Sequence, residues 1–243
     1  MPFMPSTLLR RLRDAPSTAA RVVEFAFRRR DAAGDLYPDD PDHGVVDGPG
    51  PERVLVLGEL GQISLGVRIH DLSLPAFFAR RRASLTRRGV SWSVAAVESS
   101  SIRDAPDVVV QRGAVLPGCD RVVVLLGITD ALRVISPSAW EDRMRDTLHL
   151  LVQGLPRGAR VIVSEIPPLD NAGSLSAPAR LAAGLHGRRL NARTRNVAQD
   201  YDAVTVVEFP EELTRSVWRP ESEEHRYRDT YRVWGEHLAT HAS

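Results

Sequence analysis

Three carboxyl or imidazole side chains stand where proton-transfer chemistry could be run. Glu59 follows the apolar run Val54 to Leu57 and Gly58. Its carboxyl is therefore at the mouth of a buried strand, where desolvation raises the pKa and suits the group to general acid or base work. The same residue opens a helix, and the helix dipole favours a Glu there without any catalysis. His225 closes the acidic stretch Ser222-Glu223-Glu224-His225. A carboxylate from Glu221 or Glu224 on one ring nitrogen would fix the tautomer of the other and leave an imidazole able to move protons. A surface histidine in an acidic turn fits the same residues. Asp130, in Gly127-Ile128-Thr129-Asp130, either joins that chemistry or holds the amides of its own loop.

The hydroxyls are spread over other strand ends. Ser64 is four residues after Leu60, about one helical turn, which suits a displaced nucleophile or a helix-start serine. Ser99, Ser100 and Ser101 offer a shifted partner for His225, or simply a turn that caps the next helix. Thr129 and Ser222 are short hydrogen-bonding side chains within the two polar motifs already named. His149, His186, His70 and Asp71 read as solvated or loop residues, and no metal-ligand spacing occurs, so neither metal nor cofactor is expected. All 32 basic residues are Arg, which excludes Schiff-base lysines and a P-loop. Cys119 is the only cysteine, so an internal disulfide cannot form and a reducing, cytoplasmic compartment is compatible. A formal charge of +1 argues against a nucleic-acid partner.

The elements that would position these groups follow from periodicity. Apolar runs at Val54 to Leu57, Val90 to Val97, Val122 to Leu126, Val161 to Ile166 and Val204 to Val207 read as strands. Helical stretches lie between them: Leu74 to Arg88, one opened by the capping box Ser138-Ala-Trp-Glu141 and running to Leu151, and Pro178 to Gln199. Asp229 to His237 reads as the closing helix. Alternation of this kind predicts an α/β fold, a three-layer α/β/α doubly wound parallel sheet of about five strands, with ligands at the carboxyl ends of the strands. Residues 1–30 read as a basic amphipathic arm, packed on its own domain or touching a membrane surface, and 31–52 as a Pro/Gly-rich linker. Residues 53–243 read as the α/β domain, and no run of about 18 apolar residues, the length of a membrane span, is present.

Against this frame, Val54-Leu-Val-Leu-Gly-Glu-Leu-Gly-Gln-Ile-Ser-Leu-Gly66 resembles the opening block of the SGNH (GDSL-type) hydrolases. Gly127-Ile-Thr-Asp130 is similar to that family's Gly-x-Asn-Asp block, Ile166-Pro-Pro-Leu169 to its Pro-Pro loop, and Ser222-Glu-Glu-His225 to its Asp-x-x-His. The resemblance covers residues 44 to 240 and implies a flavodoxin-like fold and acyl chemistry. It also implies a degenerate tetrad: Leu60 stands for the nucleophilic Ser, Glu59 for the adjacent Asp, Ser99 for the second-block Gly, Thr129 for the Asn and Ser222 for the Asp, with His225 retained. An alkyl side chain cannot attack. The expected catalytic set is Glu59, His225 and Asp130, with Leu60, Ser64, Ser99, Thr129 and Ser222 against a small acyl-derived ligand. Three function classes stay open: acid–base chemistry without a nucleophile, a non-catalytic pseudohydrolase that binds an acyl ligand or partner, and an esterase or acyltransferase with a relocated serine.

Overall fold

The computed structural model describes residues 36–171, 175–214 and 223–242, with side chains of the last stretch from residue 227 onward. The arm of 1–30, Glu221 and Ser222, and the side chains of Glu224 and His225 lie outside the described residues. Among the described residues the strands are β1 (His43–Val46), β2 (Glu52–Gly58), β3 (Val90–Ala96), β4 (Arg121–Leu125), β5 (Arg160–Ser164) and β6 (Val204–Val207). They form one sheet of order β1-β3-β2-β4-β5-β6. All neighbours are parallel except β1, which runs antiparallel to β3.

The helices are α1 (Leu60–Ile63), α2 (Leu74–Thr86), α3 (Ala105–Gln111), α4 (Ile128–Leu132), α5 (Pro137–Gly154), α6 (Ala177–Ala198) and α7 (Glu223–Thr240). Alternate residues of β2 supply the two halves of the core. Val54 and Val56 face Phe78 of α2 and Trp234 and Leu238 of α7. Leu55 and Leu57 face Val109 of α3, Met144 and Leu148 of α5 and Leu190 of α6. With helices on both faces the strand is apolar throughout rather than alternating, as parallel strands of a three-layer fold are.

The parallel strands β2 to β6 are the five that periodicity predicts. The sixth, β1, falls within the stretch read as linker. Four residues with a central Gly carry no strand signal, but Gly44 lies against the indole of Trp92, where an added Cβ would be 2.7 Å from the ring. The helix expected to open at Ser138 begins at Pro137 with Ser136 as N-cap. Proline's fixed φ suits the first helical position, and Glu141 pairs with Arg193 rather than closing a capping box. At the amino ends of the strands, the buried Glu52 carboxylate takes Arg82 at 2.8 Å and Arg121 at 2.9 Å. No helix among the described residues is long and apolar enough to cross a membrane.

Candidate active site

At the carboxyl ends, β2 leaves the sheet through Gly58, whose missing side chain admits the Leu125 carbonyl 2.3 Å from where a Cβ would stand. The main chain of Glu59 continues the ladder by donating to Leu125 O at 3.0 Å, and Val97 N donates to Gly58 O at 2.8 Å. Three strand ends are thus laced before any side chain is counted. Glu59 is the N-cap of α1, yet its carboxylate does not cap that helix. It crosses to the turn after β4 and accepts from Gly127 N at 2.6 Å, Thr129 N at 3.2 Å and Thr129 Oγ1 at 2.7 Å.

That turn is shaped to receive it. Gly127 has φ +113°, and a Cβ there would fall 2.5 Å from Ile166 and 2.7 Å from Trp140, so only glycine fits. With the side chain of Glu59 only 2% exposed, burial drives its pKa up from 4.5 to about 7. The hydrogen bonds from Thr129 and Gly127 hold it below what burial alone would set, and the nearby Asp130 pushes it up again.

Asp130, fully buried on α4, binds the neighbouring strand end. Ser101 Oγ donates to its Oδ1 at 2.9 Å and Ile102 N to its Oδ2 at 2.6 Å. Burial raises its pKa too, opposed by those two donors. Glu59 and Asp130 therefore sit back to back, one joining β2 to β4 and the other joining the segment after β3 to α4.

The remaining expected residues separate. Leu60, partly exposed, is the first residue of α1. Ser64 ends that helix, is buried, and its hydroxyl has no hydrogen-bond partner among the described residues. Exposed Ser99 accepts from Ser101 N at 3.2 Å. Thr129, partly exposed, is spent on Glu59. The backbone of His225 is in the first turn of α7, two residues before Tyr227, whose ring covers Gly66 just beyond α1. Further along α7, Tyr231 OH donates to Leu65 O at 3.0 Å and Gly61 O at 3.4 Å, and Trp234 Nε1 to Ser164 Oγ at 2.9 Å. The last helix thus spans from the end of β2 to the end of β5, beside the laced ends that carry Glu59.

One half-buried pair is signalled by no motif in the sequence. His70, taken there as a loop residue, is buried, and Asp40 Oδ1 lies 2.9 Å from its Nδ1 while the same carboxylate accepts from His70 N. The two are 30 residues apart, so no local spacing signals them. A cleft of about 350 Å³, lined by Arg53, Ser91, Ser93 and Cys119, opens at the amino ends of the strands, the end away from Glu59.

No family model and no curated protein matches the sequence. Among solved structures, TesA is 14% identical, with a TM-score of 0.52 over 76% of this chain and 97% of that one. The esterase EstA from Pseudoalteromonas sp. is 11% identical, TM-score 0.52, over 75% and 96%. The lipase Lip_vut3 from a goat rumen metagenome is 11% identical, TM-score 0.53, over 78% and 94%. At such identities the likeness speaks to architecture alone. The fold is that of the SGNH-type hydrolases.

Proposed function

We propose that this chain uses the fold for non-hydrolytic acid–base chemistry, such as cyclisation, dehydration or isomerisation, on a small acyl-derived substrate in the cytoplasm. Glu59 stores the proton, His225 is its partner in proton transfer, and Asp130 ties the loop that receives Glu59 to the segment after β3. The observation that carries the reading is a buried, hydrogen-bonded carboxyl, its pKa pushed up to about 7 by that burial, at the carboxyl end of the first parallel strand, where α/β sheets of this kind bind ligands. Leu60, alkyl where a nucleophile is expected, supports chemistry without a covalent intermediate. Non-catalytic binding of an acyl ligand is the second reading, favoured by the three internal hydrogen bonds on Glu59.

The test uses acetyl, butanoyl and octanoyl thioesters of N-acetylcysteamine in D2O, followed by NMR for deuterium at the α-carbon and for released acid. Exchange without hydrolysis is expected, lowered about 100-fold or more in Glu59→Gln, with no labelling by a fluorophosphonate probe. Hydrolysis or a labelled serine refutes the reading in favour of a relocated nucleophile. Saturable binding with neither exchange nor hydrolysis establishes the binding role instead.

A further inference from the structure

Glu59 cannot meet a ligand directly. Its side chain is 2% exposed, Oε1 is taken by Gly127 N–H, and Oε2 by Thr129 N–H and the Thr129 hydroxyl. Of these three donors only the hydroxyl can exchange its proton and also accept one. Thr129 is moreover partly exposed, in the first turn of α4, whereas Gly127 is buried. The neighbouring carboxyl makes a useful contrast. Asp130 also holds a hydroxyl, Ser101 Oγ at 2.9 Å, but Ser101 is itself buried, so that pair is closed to ligand. The Glu59 pair instead ends on a residue that is partly exposed.

We propose that the Thr129 hydroxyl relays protons between Glu59 and a ligand held at the carboxyl ends of the strands, a role that rests on the acid–base reading above. In the base direction, Thr129 Oγ1 takes a proton from the ligand as its own proton passes across the 2.7 Å hydrogen bond to Glu59 Oε2. One O–H bond forms at the threonine oxygen while another breaks. Threonine ends unchanged, Glu59 ends neutral, and the electron pair of the broken bond stays on the ligand. The acid direction is the reverse. The amides of Gly127 and Thr129 keep the carboxylate from turning away, so the relay geometry is built into the turn. Near neutrality Glu59 is divided between its two protonation states, which lets one relay run both ways.

The test needs no substrate. Infrared difference spectra near pH 5.5 should show the carbonyl stretch of a protonated carboxyl that disappears in Glu59→Gln. On rapid transfer into D2O that band shifts as the carboxyl exchanges its proton. Wild type and Thr129→Ser should exchange alike, and Thr129→Val about 100-fold more slowly, with Thr129→Ala in its place if the valine variant does not fold. A merely structural threonine would move the titration midpoint of the band and leave the exchange rate alone. Exchange in Thr129→Val as fast as in wild type overturns the relay, and so does the absence of any Glu59-dependent band. If the relay behaves as expected while no thioester exchanges deuterium, the acid–base reading fails and the proton path stands.

Discussion

Replacing Glu59 by Gln should invert the order of stability of wild type and variant as pH rises. A carboxyl lifted from 4.5 to about 7 corresponds, at about 1.4 kcal/mol for each pH unit, to about 3 kcal/mol. Between those values the folded chain keeps the proton and the unfolded chain has released it. The contribution is therefore complete below pH 4.5, declines as pH rises, and is gone above about 7. Glutamine is neutral throughout and has no such slope. Its amide can still accept from Gly127 N through one oxygen, but its NH2 group faces Thr129 N, a donor against a donor, at a cost of about 1 kcal/mol. Near pH 4.5 wild type should lead by about 1 kcal/mol, and by pH 8.5 the variant should lead by about 2 kcal/mol. Urea denaturation followed by tryptophan fluorescence across this range reads both curves, and their difference cancels the other titrating groups. A difference that stays flat within about 0.5 kcal/mol would refute the assignment of a buried, strongly shifted carboxyl at this position.

Asp130→Ala strips the acceptor from Ile102 N and Ser101 Oγ inside the protein, so it should lower stability by about 1 to 3 kcal/mol by the same urea titration. A loss under about 0.5 kcal/mol would mean that the two donors find other partners. Deletion of residues 1–46 removes β1 and the Asp40 carboxylate on His70 and uncovers Trp92, whereas deletion of 1–35 leaves these contacts in place. The longer deletion should lower the thermal midpoint well below that of the shorter one; equal midpoints would make β1 an ornament of the edge.

How much of this could be read from the chain alone differs by element. The parallel strands were legible because helices bury both their faces, which writes runs such as Val122 to Leu126 into the sequence. β1 was not, since four residues with one face exposed leave no periodicity to detect. At the site, the position of Glu59 at a strand end was legible and its direction was not. That direction is set by Gly127, 68 residues later, whose positive φ turns two backbone N–H groups toward the carboxylate. The Asp40 and His70 pairing is likewise a product of tertiary structure. Asp130 illustrates the ambiguity of a lone carboxyl in a polar motif: both of its oxygens meet donors that come from the segment after β3.

The grip of Tyr231 on Gly61 and Leu65 has a bearing on biosynthesis. Helix α1 is a single turn, too short to persist by its own hydrogen bonds, and the hydroxyl that secures it comes from 166 to 170 residues downstream. At about 5 to 20 residues per second, a ribosome adds that length in about 10 to 30 s. During that interval β2 and β3 can pair on the nascent chain while the turn that carries Leu60 lacks its anchor. The carboxyl end of the sheet is therefore the last part to take shape, and a chain stalled before α7 would hold most of the sheet without the contacts that fix α1.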